Sequence, residues 1–156
     1  MRYQAELTAA LDAARLAATR ILELYASFTA IPDAASDITT QADHDAQEII
    51  LQSLRQSYPG DAVQAEEATP TLAACLRAGP RVWVIDPIDG TRGFAQKNGE
   101  YSIMIALVEG GVPVVGVVWV LPSGVAVILS ASGAIQALMQ GFAAVSGRGS
   151  VQMKLS

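Results

Sequence analysis

Apolar residues recur at intervals of three and four through residues 2–28, at Leu7, Leu11, Ala14, Ala18, Ile21, Leu22, Tyr25 and Phe28, with charged residues between them. That spacing predicts one long amphipathic helix. Ile31-Pro32-Asp33 ends it, because a residue before proline avoids the α region. A second helix is predicted with Thr40 as N-cap and Asp43 three residues on, as in a capping box. Its inner stripe is Ala46, Ile49, Ile50 and Leu54, and the turn Tyr58-Pro59-Gly60-Asp61 stops it.

Beyond that turn the apolar period becomes that of strands. Residues 62–65 form a short candidate and residues 81–85 a firmer one, while 101–108, 112–121 and 125–129 read as an antiparallel meander with Gly and Pro at the corners. Residues 103–121 carry Glu109 as their sole charge and match a membrane span in length. Glu109-Gly110-Gly111 before Val112-Pro113 is turn chemistry, however, so two buried strands and a hairpin are expected there. The expected class is α+β: two long N-terminal helices packed on an antiparallel sheet. No repeat or linker divides the chain, so one domain is expected over residues 1–156, with 134–156 as a divergent tail that reads as strand or short helix and then a loose terminus.

Composition narrows the function classes. In 156 residues, 51% are hydrophobic, 16% are charged and the formal net charge is −5, which suits one independent core and offers no basic field for nucleic acid. The single cysteine, Cys75, and an N-terminus without signal-peptide features point to a cytoplasmic protein, with no membrane partner. Cys75 has no plausible base nearby and reads as a small buried or half-buried residue, and the one histidine, His44, at a helix start, reads as a solvated side chain and not as a ligand or base.

The chemistry gathers at Val82-Trp83-Val84-Ile85-Asp86-Pro87-Ile88-Asp89-Gly90-Thr91, where a buried strand runs into a turn shaped by proline and glycine. There Asp86, Asp89 and the Ile88 carbonyl could face one point, as hard oxygen ligands for Mg²⁺. Taken singly, such acids are more often turn or capping residues. Glu66-Glu67 after the preceding short strand, and Asp43 at a helix start, add three more acids at element ends. Convergence of these charges would call for a divalent cation. Thr91 offers a hydroxyl, and the amides of Gly90 and Thr91 would seat a phosphate if a helix begins there. The alternative phosphatase pattern Asp-x-Asp-Gly-Thr does not fit, because Asp86 and Asp89 are three apart.

These residues resemble the Mg²⁺-dependent, lithium-sensitive phosphatases that include inositol monophosphatase and 3'(2'),5'-bisphosphate nucleotidase. The resemblance rests on Asp37-Ile38-Thr39-Thr40-Gln41-Ala42-Asp43, on Glu66-Glu67 and on Trp83 through Thr91, in that order. It implies two or three Mg²⁺ ions, with Glu66, Asp86 and the Ile88 carbonyl on the first, Asp86 and Asp89 on the second, and Asp43 near the first or a third. It further implies that Glu66 and Thr91 orient the attacking water and that the Gly90 and Thr91 amides bind phosphate. Arg92-Gly93-Phe94 and the segment from Asn98 to Val108 look more like the nucleotidase branch, which converts 3'-phosphoadenosine 5'-phosphate to AMP.

Family members are usually longer, with a second lobe that carries a Trp-Asp motif. This sequence has no such motif, and no aspartate follows Asp89. The expectation is therefore an N-terminal lobe with the C-terminal lobe missing. Three functions follow: a nucleotidase acting on a small phosphorylated metabolite, an inositol-1-monophosphatase, or, in another class, a shortened and inactive metal- or phosphate-binding or interaction module. The face left open would be covered by the tail or by a second copy in a homodimer.

Overall fold

The first helix, α1 (Gln4–Ser27), turns alanine rather than leucine toward the interior. Leu7, Ala10, Ala14, Ala17 and Ile21 follow one stripe of a 3.6-residue period, and Ala13 and Ala18 flank it, all buried. Leu22, expected on that stripe, is 37% exposed, because it lies one position beyond Ile21 and therefore off the face. The second helix, α2 (Gln41–Ser57), starts on the expected capping box. The Thr40 side chain accepts from the helix N-terminus, and Asp43 accepts from the Thr40 N–H at 2.8 Å. Its buried face is Ala42, Asp43, Ala46, Gln47, Ile50, Leu51 and Leu54, an apolar stripe interrupted by two polar residues.

The computed structural model describes residues 2–129, and the tail expected over residues 134–156 lies outside them. After α2 come β1 (Ala62–Ala65), α3 (Pro70–Ala73), β2 (Arg81–Asp89), α4 (Thr91–Gln96), β3 (Tyr101–Glu109), β4 (Val112–Leu121) and β5 (Val125–Leu129). The strands form one sheet in sequence order, β1 to β5. Gly110 and Gly111 join β3 to β4 with φ of 57° and 80°, the positive values a two-residue hairpin turn requires.

The α+β expectation holds, with one correction to the sheet. It is mixed, because β1 pairs with β2 in parallel while the other pairs are antiparallel. The connection through α3 is long enough to carry the chain back to the starting end of the sheet, as a parallel pair requires.

Both long helices lie on the same face of the sheet, α1 over β3 and β4 and α2 over β2. Trp83, Ile85, Ile103, Ile105, Leu107, Val115 and Val117 complete a single core with them. At one end of the layer Arg81 binds Asp61, Glu6 and Glu109, which ties β2 to α1 and to the β3–β4 hairpin. The acids of the sequence motifs lie at the opposite end, where β1 and β2 terminate.

Candidate active site

The parallel register pairs Ala65, the last residue of β1, with Ile85, so Glu66 and Asp86 are the residues that follow this last pair on the two neighbouring strands. β2 does not stop at Ile85 as its apolar run suggested, but continues through both aspartates. Asp86 stands opposite Met104, and Asp89 stands opposite Ser102. Three steps along β2 therefore match two along β3, a slip of one residue that marks a β-bulge. In a regular strand, residues three apart face opposite sides. Met104 and Ser102 are two apart and share a side, so the bulge turns Asp86 and Asp89 to that same side, away from the helices. Pro87 lies within the bulge, where a missing N–H does not break the ladder.

Thr91, 1% exposed, links this strand end to α2. Its hydroxyl lies 2.8 Å from Asp43 Oδ1 and 2.9 Å from the Ile88 carbonyl oxygen. The other carboxylate oxygen of Asp43 accepts from the Thr40 N–H and hydroxyl, at 2.8 and 2.7 Å. Asp43 is thus the helix-capping acid that the sequence predicts and also a fixed partner of Thr91. A hydroxyl carries one hydrogen, which these two acceptors share, and its lone pairs remain able to accept from water.

Gly90, the residue before α4, has φ 91°, and a Cβ there would stand 2.6 Å from the Glu100 carbonyl oxygen. A Cβ at Gly93 would strike that same oxygen. The two glycines let the strand that follows α4 close against it, which fixes where Thr91 sits.

The segment after β1 is held from α2. Gln47, fully buried, accepts from the Glu67 N–H at 2.8 Å and donates to the Glu67 carbonyl oxygen at 2.6 Å and to the Thr69 hydroxyl at 3.1 Å. Glu48 accepts from the N–H and hydroxyl of Thr71 at the start of α3. Burial, and then the negative charges of Asp43 and Glu66, push the Glu67 carboxyl above the ordinary range. Sequence reasoning missed Gln47 and Glu48. The available signal was a glutamine four residues after Asp43, on the inner face of a helix whose other inner positions are apolar.

The backbone therefore brings Glu66, Asp86, Ile88, Asp89, Gly90 and Thr91 to one end of the sheet, with Asp43 joined to them through Thr91. Among the described residues, no three His, Cys, Asp or Glu side chains stand close enough to chelate an ion as placed. The donors at this end are carboxylates and a main-chain carbonyl, without nitrogen or sulfur, and fit a hard divalent cation by their chemistry. Cys75 is half-buried and bonds the Thr71 carbonyl oxygen at 3.2 Å, and His44 is half-buried on α2. No described helix is long and apolar enough to cross a membrane.

The model of the inositol monophosphatase family matches residues 3–156. The 3'(2'),5'-bisphosphate nucleotidase CysQ of Escherichia coli K12 is 34% identical over 109 residues, 68% of this chain and 44% of that protein. A solved CysQ from Bacteroides thetaiotaomicron superposes with a TM-score of 0.64 at 29% identity, over 85% of this chain and 48% of the other. An inositol monophosphatase from Thermotoga maritima gives 0.70 at 26% identity, over 81% and 48%. The chain spans less than half the length of the curated relatives it matches.

Proposed function

This chain belongs to the inositol monophosphatase family, and we propose that it carries the metal- and phosphate-holding part of a phosphoric monoester hydrolase that acts on a small phosphorylated metabolite. The observation that supports the reading is the bulge in β2, which sets Asp86 and Asp89 opposite residues of β3 that share one face, next to the strand end that leads into Glu66. In this reading Glu66, Asp86 and the Ile88 carbonyl would hold one Mg²⁺, Asp86 and Asp89 would take part in holding a second, and Asp43 would serve the first or a third. When bound, Mg²⁺ supplies charge neutralisation for the phosphoryl group and acidifies water.

The chain's own groups do the rest. Thr91 keeps its hydrogen on Asp43 and Ile88 and accepts a hydrogen from the attacking water, while Glu66 accepts the other and aims the water at phosphorus. The Gly90 and Thr91 amides hold a phosphoryl oxygen as charge builds on it. The water oxygen bonds to phosphorus as the ester P–O bond breaks; one of the water's protons ends on the leaving oxygen, giving the alcohol, and the other stays with the inorganic phosphate.

For the substrate we favour a 3'(2'),5'-bisphosphate nucleotide, 3'-phosphoadenosine 5'-phosphate above others. Arg92-Gly93-Phe94 resembles that branch, and two of the relatives above bear the CysQ name. The share of those relatives that the chain spans supports a second reading, a lobe that binds metal and phosphate but turns over only with further chain. Phosphate release with Mg²⁺ from the nucleotide bisphosphate, inositol 1-phosphate and fructose 1,6-bisphosphate tests both. Turnover of the nucleotide in preference to the others supports the first. Calorimetric Mg²⁺ binding without turnover leaves the second, and absence of binding removes both.

A further inference from the structure

The side-chain amide of Gln47 meets the backbone of Glu67 at both of its polar groups. It accepts from the N–H at 2.8 Å and donates to the carbonyl oxygen at 2.6 Å, as a neighbouring strand would beyond the end of β1. Its remaining hydrogen goes to Thr69, the residue preceding α3, at 3.1 Å. Every donor and acceptor of this amide is used, in a site with no exposure to solvent.

The Glu67 N–H belongs to the peptide plane that also carries the Glu66 carbonyl. Fixing that plane fixes the backbone rotation after the Glu66 Cα, and with it the direction in which the Glu66 side chain leaves. The same helix holds Thr91 through Asp43, one turn earlier. α2 thus sets the spacing between the segment after β1 and the strand end of β2.

We infer that Gln47 is a positioning residue for Glu66, whose carboxylate it aims toward Asp86 by holding the Glu66–Glu67 peptide. The inference rests on the reading of Glu66 as a metal ligand. Burial and neighbouring carboxylates work against order in this segment, since like charges push Glu66 and Glu67 apart unless the backbone is held. Groups that orient ligands in this way change metal affinity by roughly 10–100-fold when removed.

The test is calorimetric titration of the whole chain with Mg²⁺, together with hydrogen exchange at the Glu67 amide in metal-free protein. Gln47→Met keeps the volume and removes every hydrogen bond, and Gln47→Glu is a second variant that keeps the acceptor for the Glu67 N–H but loses the donors. Ile50→Val, on the same buried face of α2, serves as a control for stability alone. The expected result is Mg²⁺ affinity lowered 10–100-fold in Gln47→Met, faster exchange at Glu67, and unchanged affinity in Ile50→Val. Affinity within twofold of the parent in folded Gln47→Met and Gln47→Glu, with Glu66→Gln abolishing binding, overturns the role of Gln47 and leaves Glu66 a ligand. A parent chain that binds no Mg²⁺ overturns both readings. Equal losses in Gln47→Met and Ile50→Val reduce Gln47 to a structural residue and sink the inference.

Discussion

Replacing Thr91 by valine isolates the contact that joins the two helix starts to the strand end. The side chain keeps its shape and loses only the hydroxyl, which leaves Asp43 Oδ1 and the Ile88 carbonyl oxygen, now 2.8 and 2.9 Å from it, without that donor. A buried hydrogen bond to a charged group contributes about 1.5–3 kcal/mol, so a loss of about 2–3 kcal/mol is expected. At roughly 3 °C per kcal/mol for a chain of this length, the melting temperature should fall by about 6–9 °C. Thr91→Ser makes the opposite change, for it keeps the hydroxyl and loses one methyl, at a cost of about 1 kcal/mol. The order of the two variants is therefore diagnostic. Urea unfolding followed by circular dichroism, in metal-free buffer, should rank serine above valine. In an Asp43→Asn background, where the acceptor is neutral, the valine effect should shrink by about 1 kcal/mol. A valine variant as stable as the parent, and more stable than serine, would mean that the hydroxyl is a packing group and that Asp43 is not held through it.

Three other outcomes are expected. Asp86→Asn should abolish tight Mg²⁺ binding in a calorimetric titration, and unchanged affinity would show that the acids at the end of β2 do not act together. Gly90→Ala should lower the urea-derived stability by about 2–4 kcal/mol, since φ is 91° and the added carbon would stand 2.6 Å from a main-chain oxygen that cannot swing away; a cost below about 0.5 kcal/mol would refute the close approach. Burial raises the Glu48 carboxyl, but the Thr71 and Thr69 hydroxyls and the Thr71 N–H outweigh it and hold the group below its ordinary range. A depressed carboxylate stabilises the fold above its unfolded pKa and loses that contribution as pH falls through the folded value. The parent should accordingly lose more stability between about pH 5 and 3 than Glu48→Gln, as read from melting temperature against pH; parallel curves would contradict it.

Local signals, though not enough for the short helix α3, were enough for the two long helices, the capping box at Thr40 and Asp43, the β3–β4 hairpin and the acids of the β2 motif. Each is written in a few adjacent residues. The parallel pairing of β1 with β2 was not legible, because Ala62–Ala65 is short and nothing within it specifies which strand it joins or in which direction. The bulge escaped for a related reason. Proline and two aspartates look like the end of a strand, whereas the ladder with β3 carries through them. Among the candidate residues, Asp86, Ile88, Asp89, Gly90 and Thr91 read as one motif, and Asp43 and Glu66 as acids at element ends to which the resemblance alone attached roles. Gln47 and Glu48 were not found, because they act on the backbone of a segment about twenty residues away.

The alanine face of α1 restricts how this sequence can change. Ala10, Ala13, Ala14 and Ala17 have no exposed surface, and Ala18 has 4%. An alanine side chain surrenders no rotamer freedom when it is buried, so this contact forms without the ordering cost that leucines would carry. The same economy leaves the contact little room for substitution. A larger residue would have to push α1 away from its neighbours, typically at about 1–3 kcal/mol, and glycine would weaken the helix by about 1 kcal/mol. Exposed positions such as Leu16 and Leu22 on the outer side of the same helix carry no such constraint. A saturation library of α1 should therefore divide sharply, with the outer side accepting most residues and the buried alanine positions accepting almost nothing but alanine and serine.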